Sequence, residues 1–232
     1  MDDVARGVAE RLRPAVEANG HRRQKAVLFR PDVWRPRLEP HGVSAVLQRG
    51  TAGPTAKERL IGRQDLALLR DEAGTDPGGL RQVFVAVMIW GSGTSNGRGP
   101  RYTEAALGDP HLTDVLSRTA DLVWNGDLAS AYRQFRVAGV GRSFFTKWFA
   151  AVDDESTDER ALILDSRVFR TLNALGWVSY EAAGTRHWPT RYVTYVRAMH
   201  SWAAELDVEP SWLEWLMFDL SGDIPAVLER SE

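Results

Sequence analysis

The segment GLRQVFVAVMIW, residues 79–90, constrains the fold of this chain more than any other. It is apolar on nearly every side, and a helix that is apolar all round is buried among other elements. Its β-branched residues leave a buried strand as the alternative. The segment therefore predicts a central buried element, most simply a helix, with the rest of the chain packed around it.

Helical patterns occupy most of the remaining chain. Asp127 is placed to begin one helix as its N-cap, and Pro189 and Pro210 lie in the first turns of two others. We expect seven or eight helices and no strand, so the predicted fold class is all-α. Along the chain we expect a basic, helical or irregular N-terminal segment, residues 1–78, that packs on a helical core, residues 79–232.

Composition excludes several classes of protein. No apolar run reaches the length of a membrane span, and the N-terminus lacks the basic-then-apolar order of a secretory signal. The chain has no cysteine, which excludes disulfides, a thiolate nucleophile and cysteine-ligated metals. The five histidines are scattered without metal-binding spacing. We therefore expect a cytoplasmic monomer with no membrane partner, no metal and no cofactor.

The net charge of −2 hides an uneven distribution of charge. Basic residues outnumber acidic ones in residues 1–75, and residues 128–152 carry three arginines and one lysine but no acid. The acids concentrate in residues 153–159 and near the C-terminus. A basic face of this kind would bind nucleic acid through its phosphates, with an affinity that falls steeply as salt rises.

The stretch VAGVG joins two of the predicted helices. Gly139, Val140 and Gly141 would place successive backbone N–H groups at the start of the second helix, where the helix dipole is positive. Glycine also lets a nucleic-acid backbone approach closely, and Arg142 and Ser143 would add side-chain donors. The alternative is a plain glycine C-cap that ends the first helix.

Two ionisable residues follow this hairpin. Lys147 lies in the middle of the aromatic helix SFFTKWF. It is either a desolvated amine that acts as a nucleophile or a surface lysine whose stem lies along an aromatic face. Asp165 follows an apolar run at the first turn of a helix. It is either a plain N-cap or a carboxylate that stabilises a developing positive charge.

The order of these elements resembles the helix–hairpin–helix superfamily of DNA glycosylases. The order is a helix, a Gly-x-Gly hairpin, a second helix, an acidic loop and then the sequence LDSRV. The closest likeness is to the 8-oxoguanine DNA glycosylase fold of the archaeal type and of related bacterial proteins. The resemblance covers residues 83–220 and is most specific in residues 137–170. It implies a two-lobed helical fold, a hairpin on the DNA backbone, Asp165 as the catalytic carboxylate and Lys147 as the nucleophile. Eukaryotic-type members have their lysine where this chain has Ser143, and Lys147 lies one turn later.

The same resemblance implies an enzyme that extrudes a base from double-stranded DNA. The loop GSGTSNGRG would supply the wedge that fills the gap, with Asn96 and Arg98 as candidates; the alternative is a plain flexible loop. Tryptophans near the inferred cleft would stack on the extruded base. The candidates are Trp90, Trp148, Trp212 and Trp215.

The predicted function is a DNA glycosylase that excises a damaged or modified base of the 8-oxoguanine type. It would also nick the strand if Lys147 forms a Schiff base with the sugar, whereas a protonated Lys147 would leave water as the nucleophile. Two alternatives remain open. One is an antiphage-defence glycosylase that excises a hydroxymethylated or glucosylated cytosine. The other is a non-catalytic helix–hairpin–helix DNA-binding module.

Overall fold

The computed structural model of the chain describes residues 2–94 and 97–224. Twelve α-helices lie in these residues, which confirms the predicted all-α class. They are α1 (Asp2–Asn19), α2 (Pro31–Leu38), α3 (Arg63–Ala73), α4 (Pro77–Gly91), α5 (Gly99–Leu107), α6 (Leu112–Trp124), α7 (Leu128–Gln134), α8 (Arg142–Val152), α9 (Ser166–Ala174), α10 (Ser179–Ala182), α11 (Trp188–Glu205) and α12 (Pro210–Leu220). The expected number of helices was too low; α10, with four residues, is one that is too short to show a helical period.

The expectation of no strand is wrong. Three short strands, β1 (Val27–Phe29), β2 (Thr51–Ala52) and β3 (Arg59–Ile61), form an antiparallel sheet in the order β1-β3-β2. Each strand has only two or three residues, so the alternation of inward and outward side chains that identifies a strand cannot develop.

Helix α4 is the central element that the sequence predicted, and the strand alternative is wrong. Every residue from Val83 to Trp90 is buried. Asp76 caps the helix, because its Oδ2 accepts the N–H of Gly79 at 2.6 Å, and Pro77 occupies the first turn. Helices α3, α5, α6 and α8 pack on it. No helix in the described residues is both long enough and apolar enough to cross a membrane.

The chain divides into two compact units. The terminal unit contains Met1–Gln24 and Leu162–Glu232, and the internal unit contains Lys25–Ala161. In the terminal unit α11 packs on α1 and α12, and α12 also packs on α9; the internal unit is built around α4. The boundary expected between residues 78 and 79 lies in the first turn of α4. The division of the sequence into those two domains stays a prediction.

Several arginines of residues 1–75 form ion pairs with acids. The pairs are exposed or half-exposed, so each contributes little to stability. Asp219 and Glu104 lie outside residues 1–75, so these two acids compensate positive charge beyond what the residue count of that region includes. The pairs are Arg22–Asp219, Arg30–Asp32, Arg37–Glu104, Arg49–Glu72 and Arg70–Asp71.

Candidate active site

The loop between α7 and α8 is a tight turn in which the N–H of Val140 donates to the carbonyl oxygen of Val137 at 3.2 Å. Gly139 has a φ of +79°, a conformation that favours glycine. Gly139 and Gly141 are exposed, whereas Val140 is buried. A Cβ at either glycine would meet nothing within 4 Å. The turn therefore presents bare backbone to solvent, as a contact with a DNA backbone requires, and that contact stays a prediction.

Helix α8 begins at this turn. The carbonyl oxygen of Gly141 accepts the N–H groups of Phe144 at 2.9 Å and Phe145 at 3.1 Å. Arg142 and Ser143 are half-buried in the first turn, which contains no acid. The first N–H groups of a helix have no acceptor within the helix, and the positive end of the helix dipole adds to their field. The start of α8 is thus suited to an anion such as a phosphate.

Lys147 lies one turn further along α8 and is only 8% exposed. Its Nζ donates to Ser143 Oγ at 2.9 Å and to the Ser143 carbonyl oxygen at 3.2 Å. The same atom lies 5.6 Å from the centroid of the Phe144 ring, within the range of a cation–π contact. This burial does not fit the alternative of a surface lysine whose head lies in water.

Gly91, the last residue of α4, brings that helix against Lys147. A Cβ on Gly91 would lie 2.9 Å from Cε1 of Phe144 and 3.0 Å from Cδ of Lys147, closer than a methyl group can approach without displacing them. Glycine therefore allows the end of α4 to contact the stem of the lysine. Sequence analysis placed Gly91 only in the wedge loop, because its partners lie far along the chain.

The other aromatic residues of α8 anchor the helix in the core. Phe145 stacks on Phe135 with ring centroids 5.4 Å apart, and it meets Tyr132 edge-on at 4.8 Å. Phe149 packs edge-on against Phe135 at 6.0 Å. These contacts fix the position and rotation of α8, and they thereby fix the direction in which Lys147 leaves the helix.

Asp165 is the N-cap of α9, so the helix start that the sequence predicted is confirmed. Its Oδ1 accepts the N–H of Arg167 at 2.8 Å and the hydroxyl of Ser166 at 3.4 Å. The residue is 9% exposed. A negative charge at this position is stabilised by the positive end of the helix dipole. The carboxylate is therefore both a helix cap and a charge held at a fixed place.

Three side chains that sequence analysis missed bind the segment that precedes α9. The hydroxyl of Tyr192 donates to the carbonyl oxygen of Leu162 at 2.8 Å, and the hydroxyl of Tyr195 donates to that of Ile163 at 2.8 Å. Glu214 Oε2 accepts the N–H of Ile163 at 3.1 Å. The sequence did contain a signal in the residue types. Tyrosine stands where phenylalanine would fill the same space, and a glutamate lies inside the apolar helix SWLEWLMF; both types indicate a buried hydrogen bond.

Sequence analysis also missed Asp153, which follows α8 and is 5% exposed. Its Oδ2 accepts the N–H of Ala161 at 2.6 Å, and its Oδ1 accepts the N–H of Glu155 at 2.9 Å. Burial raises the pKa of the Asp153 carboxyl above its ordinary value of 3.8, although both hydrogen bonds act to lower it. Asp153 thus ties the two ends of the acidic loop together.

The two wedge candidates lie in the connection between α4 and α5. Asn96 is outside the described residues. Arg98 is exposed and directly precedes α5. A wedge formed by either residue stays a prediction.

Two of the predicted base-stacking tryptophans lie in the internal unit. Trp90 is 5% exposed, and the guanidinium of Arg63 lies 5.3 Å from its ring centroid. Trp148 is completely buried, where it packs edge-on against Phe84 and donates from Nε1 to Thr119 Oγ1 at 3.0 Å. Trp148 therefore serves the core around α4 in this structure.

The other two tryptophans lie in the terminal unit and both contact Arg22. Trp212 donates from Nε1 to the carbonyl oxygen of Arg22 at 3.0 Å. The guanidinium of the same arginine lies 5.6 Å from the ring centroid of Trp215. Stacking of any of the four tryptophans on a base stays a prediction.

Lys147 belongs to the internal unit and Asp165 to the terminal unit. Within the part of the chain that the structure describes, no group of three or more histidine, aspartate or glutamate side chains is arranged to hold a metal ion. Lys147 offers an amine, Asp165 a carboxyl group, and the start of α8 backbone N–H groups.

A family model matches most of the chain. The family described as "Putative 8-oxoguanine DNA glycosylase OGG-like protein" matches residues 20–218, a range that includes the hairpin, Lys147, Asp165 and the three side chains that bind the segment before α9. No curated protein and no solved structure matches the chain.

Proposed function

The chain belongs to the family of OGG-like 8-oxoguanine DNA glycosylases, and on this premise we propose that it excises an 8-oxoguanine-type base from double-stranded DNA and nicks the strand through a lysine Schiff base. The observation that carries the proposal is the buried amine of Lys147, one turn beyond an exposed glycine hairpin. A hairpin that binds the DNA backbone brings this part of α8 to the sugar of the extruded nucleotide.

The choice of lysine at this position supports a chemical role. Only three of the 29 basic residues of the chain are lysines, namely Lys25, Lys57 and Lys147. Lys25 and Lys57 are exposed, whereas Lys147 is buried. A guanidinium stays charged at all accessible pH values and cannot act as an amine nucleophile. A chain that uses arginine for nearly all its positive charge has therefore kept lysine where a nucleophile is required.

Ser143 prepares this amine for attack. Nζ donates to both the hydroxyl and the backbone carbonyl oxygen of Ser143, and these two hydrogen bonds restrict the positions that the amine can take. Restricting the amine before the reaction removes orientational freedom that would otherwise be lost in the transition state.

Lys147 attacks C1′ of the extruded nucleotide. A bond forms between Nζ and C1′ as the N-glycosidic bond breaks, and its electron pair leaves with the base, which takes a proton. The nitrogen then loses a proton, and the C1′–O4′ bond opens with its electron pair going to O4′, which takes a proton and becomes a hydroxyl. The product is a protonated Schiff base between Nζ and C1′. Removal of a C2′ proton then expels the 3′ phosphate and nicks the strand.

Asp165 stabilises the positive charge that develops on the sugar as the glycosidic bond breaks. Its position at the start of α9 supports this role, because the N–H of Arg167 holds the carboxylate in place. If Lys147 is protonated, Asp165 activates water instead, and the product is an abasic site in an intact strand.

Borohydride trapping tests the proposal. The wild-type chain, Lys147→Ala and the double variant Lys25→Ala/Lys57→Ala are each incubated with duplexes that carry 8-oxoguanine, hydroxymethylcytosine or glucosylated hydroxymethylcytosine. We expect a covalent adduct with at least one duplex for the wild type and the double variant, and none for Lys147→Ala. The double variant is the matched control, because it removes the two exposed lysines and leaves the buried one.

The duplex that is trapped identifies the base. Release of a base without an adduct would contradict the Schiff base and would leave Asp165 and water as the chemistry. If no duplex gives an adduct or a released base, the glycosylase proposal is contradicted. With DNA binding retained, that result would favour a non-catalytic binding module.

A further inference from the structure

The segment that leads to Asp165 is buried and has no regular structure. Residues 161–165 are all buried, yet they belong to no helix and to no strand. Buried peptide groups that lack partners in a helix or a sheet must find them in side chains or water, because an unpaired buried N–H or C=O costs free energy. In the terminal unit, α11 and α12 supply such partners.

Two tyrosines of α11 bind consecutive carbonyl oxygens of this segment. Tyr192 and Tyr195 are spaced by three residues, so they lie on one face of the helix, and both are completely buried. Their ring centroids are 6.3 Å apart. The hydroxyls reach the carbonyl oxygens of Leu162 and Ile163, each at 2.8 Å. The carbonyl direction of both peptides is thereby fixed.

Glu214 of α12 binds the same segment through an N–H group. It is 2% exposed, and its Oε2 accepts the N–H of Ile163 at 3.1 Å. Burying a carboxylate is costly unless it is hydrogen-bonded, so a leucine would serve packing better at this place. Ile163 is therefore held at both its N–H and its carbonyl oxygen by side chains from two different helices.

Helix α12 also holds the helix that follows Asp165. The hydroxyl of Thr171 in α9 donates to the carbonyl oxygen of Met217 at 2.6 Å, and it accepts the N–H of Gly222 at 2.9 Å. The chain is thus fixed two residues before Asp165 and again six residues after it. The short stretch between these points carries the carboxylate.

We propose that Tyr192, Tyr195 and Glu214 form a polar clamp whose role is to position Asp165 for catalysis. None of the three touches the reacting atoms; each is a positioning residue that acts through the backbone of Leu162 and Ile163. The proposal rests on the role of Asp165 in the proposed function. A displacement of about 1 Å of a catalytic group can cost about a hundredfold in rate, which is sufficient reason to fix this segment from two helices.

Hydroxyl removal tests the tyrosines. Tyr192→Phe, Tyr195→Phe and the double variant keep the rings and remove the hydroxyls that donate to the segment. Ser179→Ala is the matched control, because Ser179 is a buried residue of the same unit whose hydroxyl accepts from Arg191 Nε at 3.0 Å and Nη2 at 2.7 Å. The measurements are the single-turnover rate of base release and the Kd for the duplex.

We expect the double variant to lose about ten- to a hundredfold in the single-turnover rate, with a Kd that is nearly unchanged. Ser179→Ala is expected to keep the wild-type rate. An unchanged rate in the double variant, or an equal loss in Ser179→Ala, would overturn the proposal, because the effect would then be absent or would belong to general stability.

Conservative rescue tests the glutamate. Glu214→Gln keeps an oxygen that accepts the N–H of Ile163, whereas Glu214→Ala keeps none. We expect the rate of Glu214→Gln to stay much closer to that of the wild type than the rate of Glu214→Ala. Equal losses in the two variants would overturn the positioning role of Glu214.

Amide hydrogen exchange tests the clamp without any activity. We expect faster exchange at the N–H of Arg167, which Asp165 accepts, in the tyrosine double variant but not in Ser179→Ala. Unchanged exchange would overturn the clamp even in an active enzyme. If the wild type releases no base from any duplex, the proposed function fails, while this measurement still decides whether the clamp holds the Asp165 cap.

Discussion

The two candidate catalytic side chains differ in how far along the sequence their described hydrogen-bond partners lie. The amine of Lys147 is bound by Ser143, four residues earlier in the same helix. The segment before Asp165 is bound by side chains that lie 30 to 51 residues away in the sequence, on α11 and α12. The described hydrogen bonds of the amine thus form within one helix, whereas those of the segment before Asp165 require the assembly of the terminal unit around it.

The first prediction has the largest expected effect and tests the carboxylate side of this comparison. Asp165→Asn removes the charge and keeps the cap, because asparagine and aspartate are equally good N-caps. We expect the single-turnover rate of base release to fall by at least about a hundredfold, since one group that stabilises a transition-state charge is commonly worth about that much. The Kd for DNA and the unfolding free energy are expected to change little.

Asp76→Asn is the matched control for this substitution. Asp76 caps α4 in the same way, through the N–H of Gly79, and it is exposed. The control removes the same charge from a helix cap and is expected to keep the wild-type rate. Normal turnover by Asp165→Asn would remove this residue from the mechanism.

The second prediction tests a long-range contact on the amine side, between Gly91 and the side chains of Phe144 and Lys147. Gly91→Ala places a methyl group 2.9 Å from Cε1 of Phe144 and 3.0 Å from Cδ of Lys147, so these side chains or the helices that carry them must shift. We expect the unfolding free energy to fall by about 1–3 kcal/mol, as is typical of overpacked cores. The measurement is urea-induced unfolding.

Gly7→Ala is the control for the same substitution inside a helix. Its added Cβ would meet only the Nη2 atom of Arg11 at 3.9 Å. Alanine is favoured over glycine in a helix interior by up to about 1 kcal/mol, so this variant is expected to be as stable as the wild type or more stable. A loss of stability in Gly7→Ala equal to that in Gly91→Ala would show that the contact with Lys147 is not the cause.

The same contrast explains how much of the site could be predicted from the sequence. The cap at Asp165 and the hairpin glycines before Lys147 are local features, and the sequence indicated both. Gly91, Tyr192 and Glu214 act on residues far along the chain, and their types alone do not reveal their partners. The strands were missed for a related reason, since elements of two or three residues are defined by pairing rather than by pattern.

The third prediction removes one of the two hydrogen bonds between Ser143 and the amine of Lys147. Ser143→Ala removes the hydroxyl that accepts from Lys147 at 2.9 Å and leaves the carbonyl acceptor at 3.2 Å. A hydrogen bond to a side chain is worth about 1 kcal/mol, so we expect the rate of borohydride-trapped adduct formation to fall by about five- to tenfold. The unfolding free energy is expected to change by less than this, because the backbone of α8 is anchored by its aromatic residues.

Ser130→Ala is the matched control for Ser143→Ala. Ser130 lies on α7 and accepts a hydrogen bond from a basic side chain one turn later, Arg133 Nη2, at 2.7 Å. Its loss is expected to leave the trapping rate unchanged. If both serine variants trap DNA at the wild-type rate, the hydroxyl of Ser143 does not orient the amine.

The fourth prediction has the smallest expected effect and concerns Asp153. Its hydrogen-bond partners lie two and eight residues away in the sequence, so its contacts are local, as those of Lys147 are, but extend beyond one helix turn. Burial raises the pKa of its carboxyl above 3.8 in the folded chain. Between 3.8 and that raised pKa the folded chain binds more protons than the unfolded chain, so the contribution of Asp153 to stability falls as pH rises through this window. Asp153→Asn removes the titration. The unfolding free energy of the wild type minus that of the variant is therefore expected to decrease as pH rises from about 4 towards neutrality.

Urea unfolding of both chains across this range measures the difference, in which the titration of all other carboxyls largely cancels. A pH-independent difference for Asp153→Asn would contradict the raised pKa, because it would mean that the two hydrogen bonds fully balance the cost of burial.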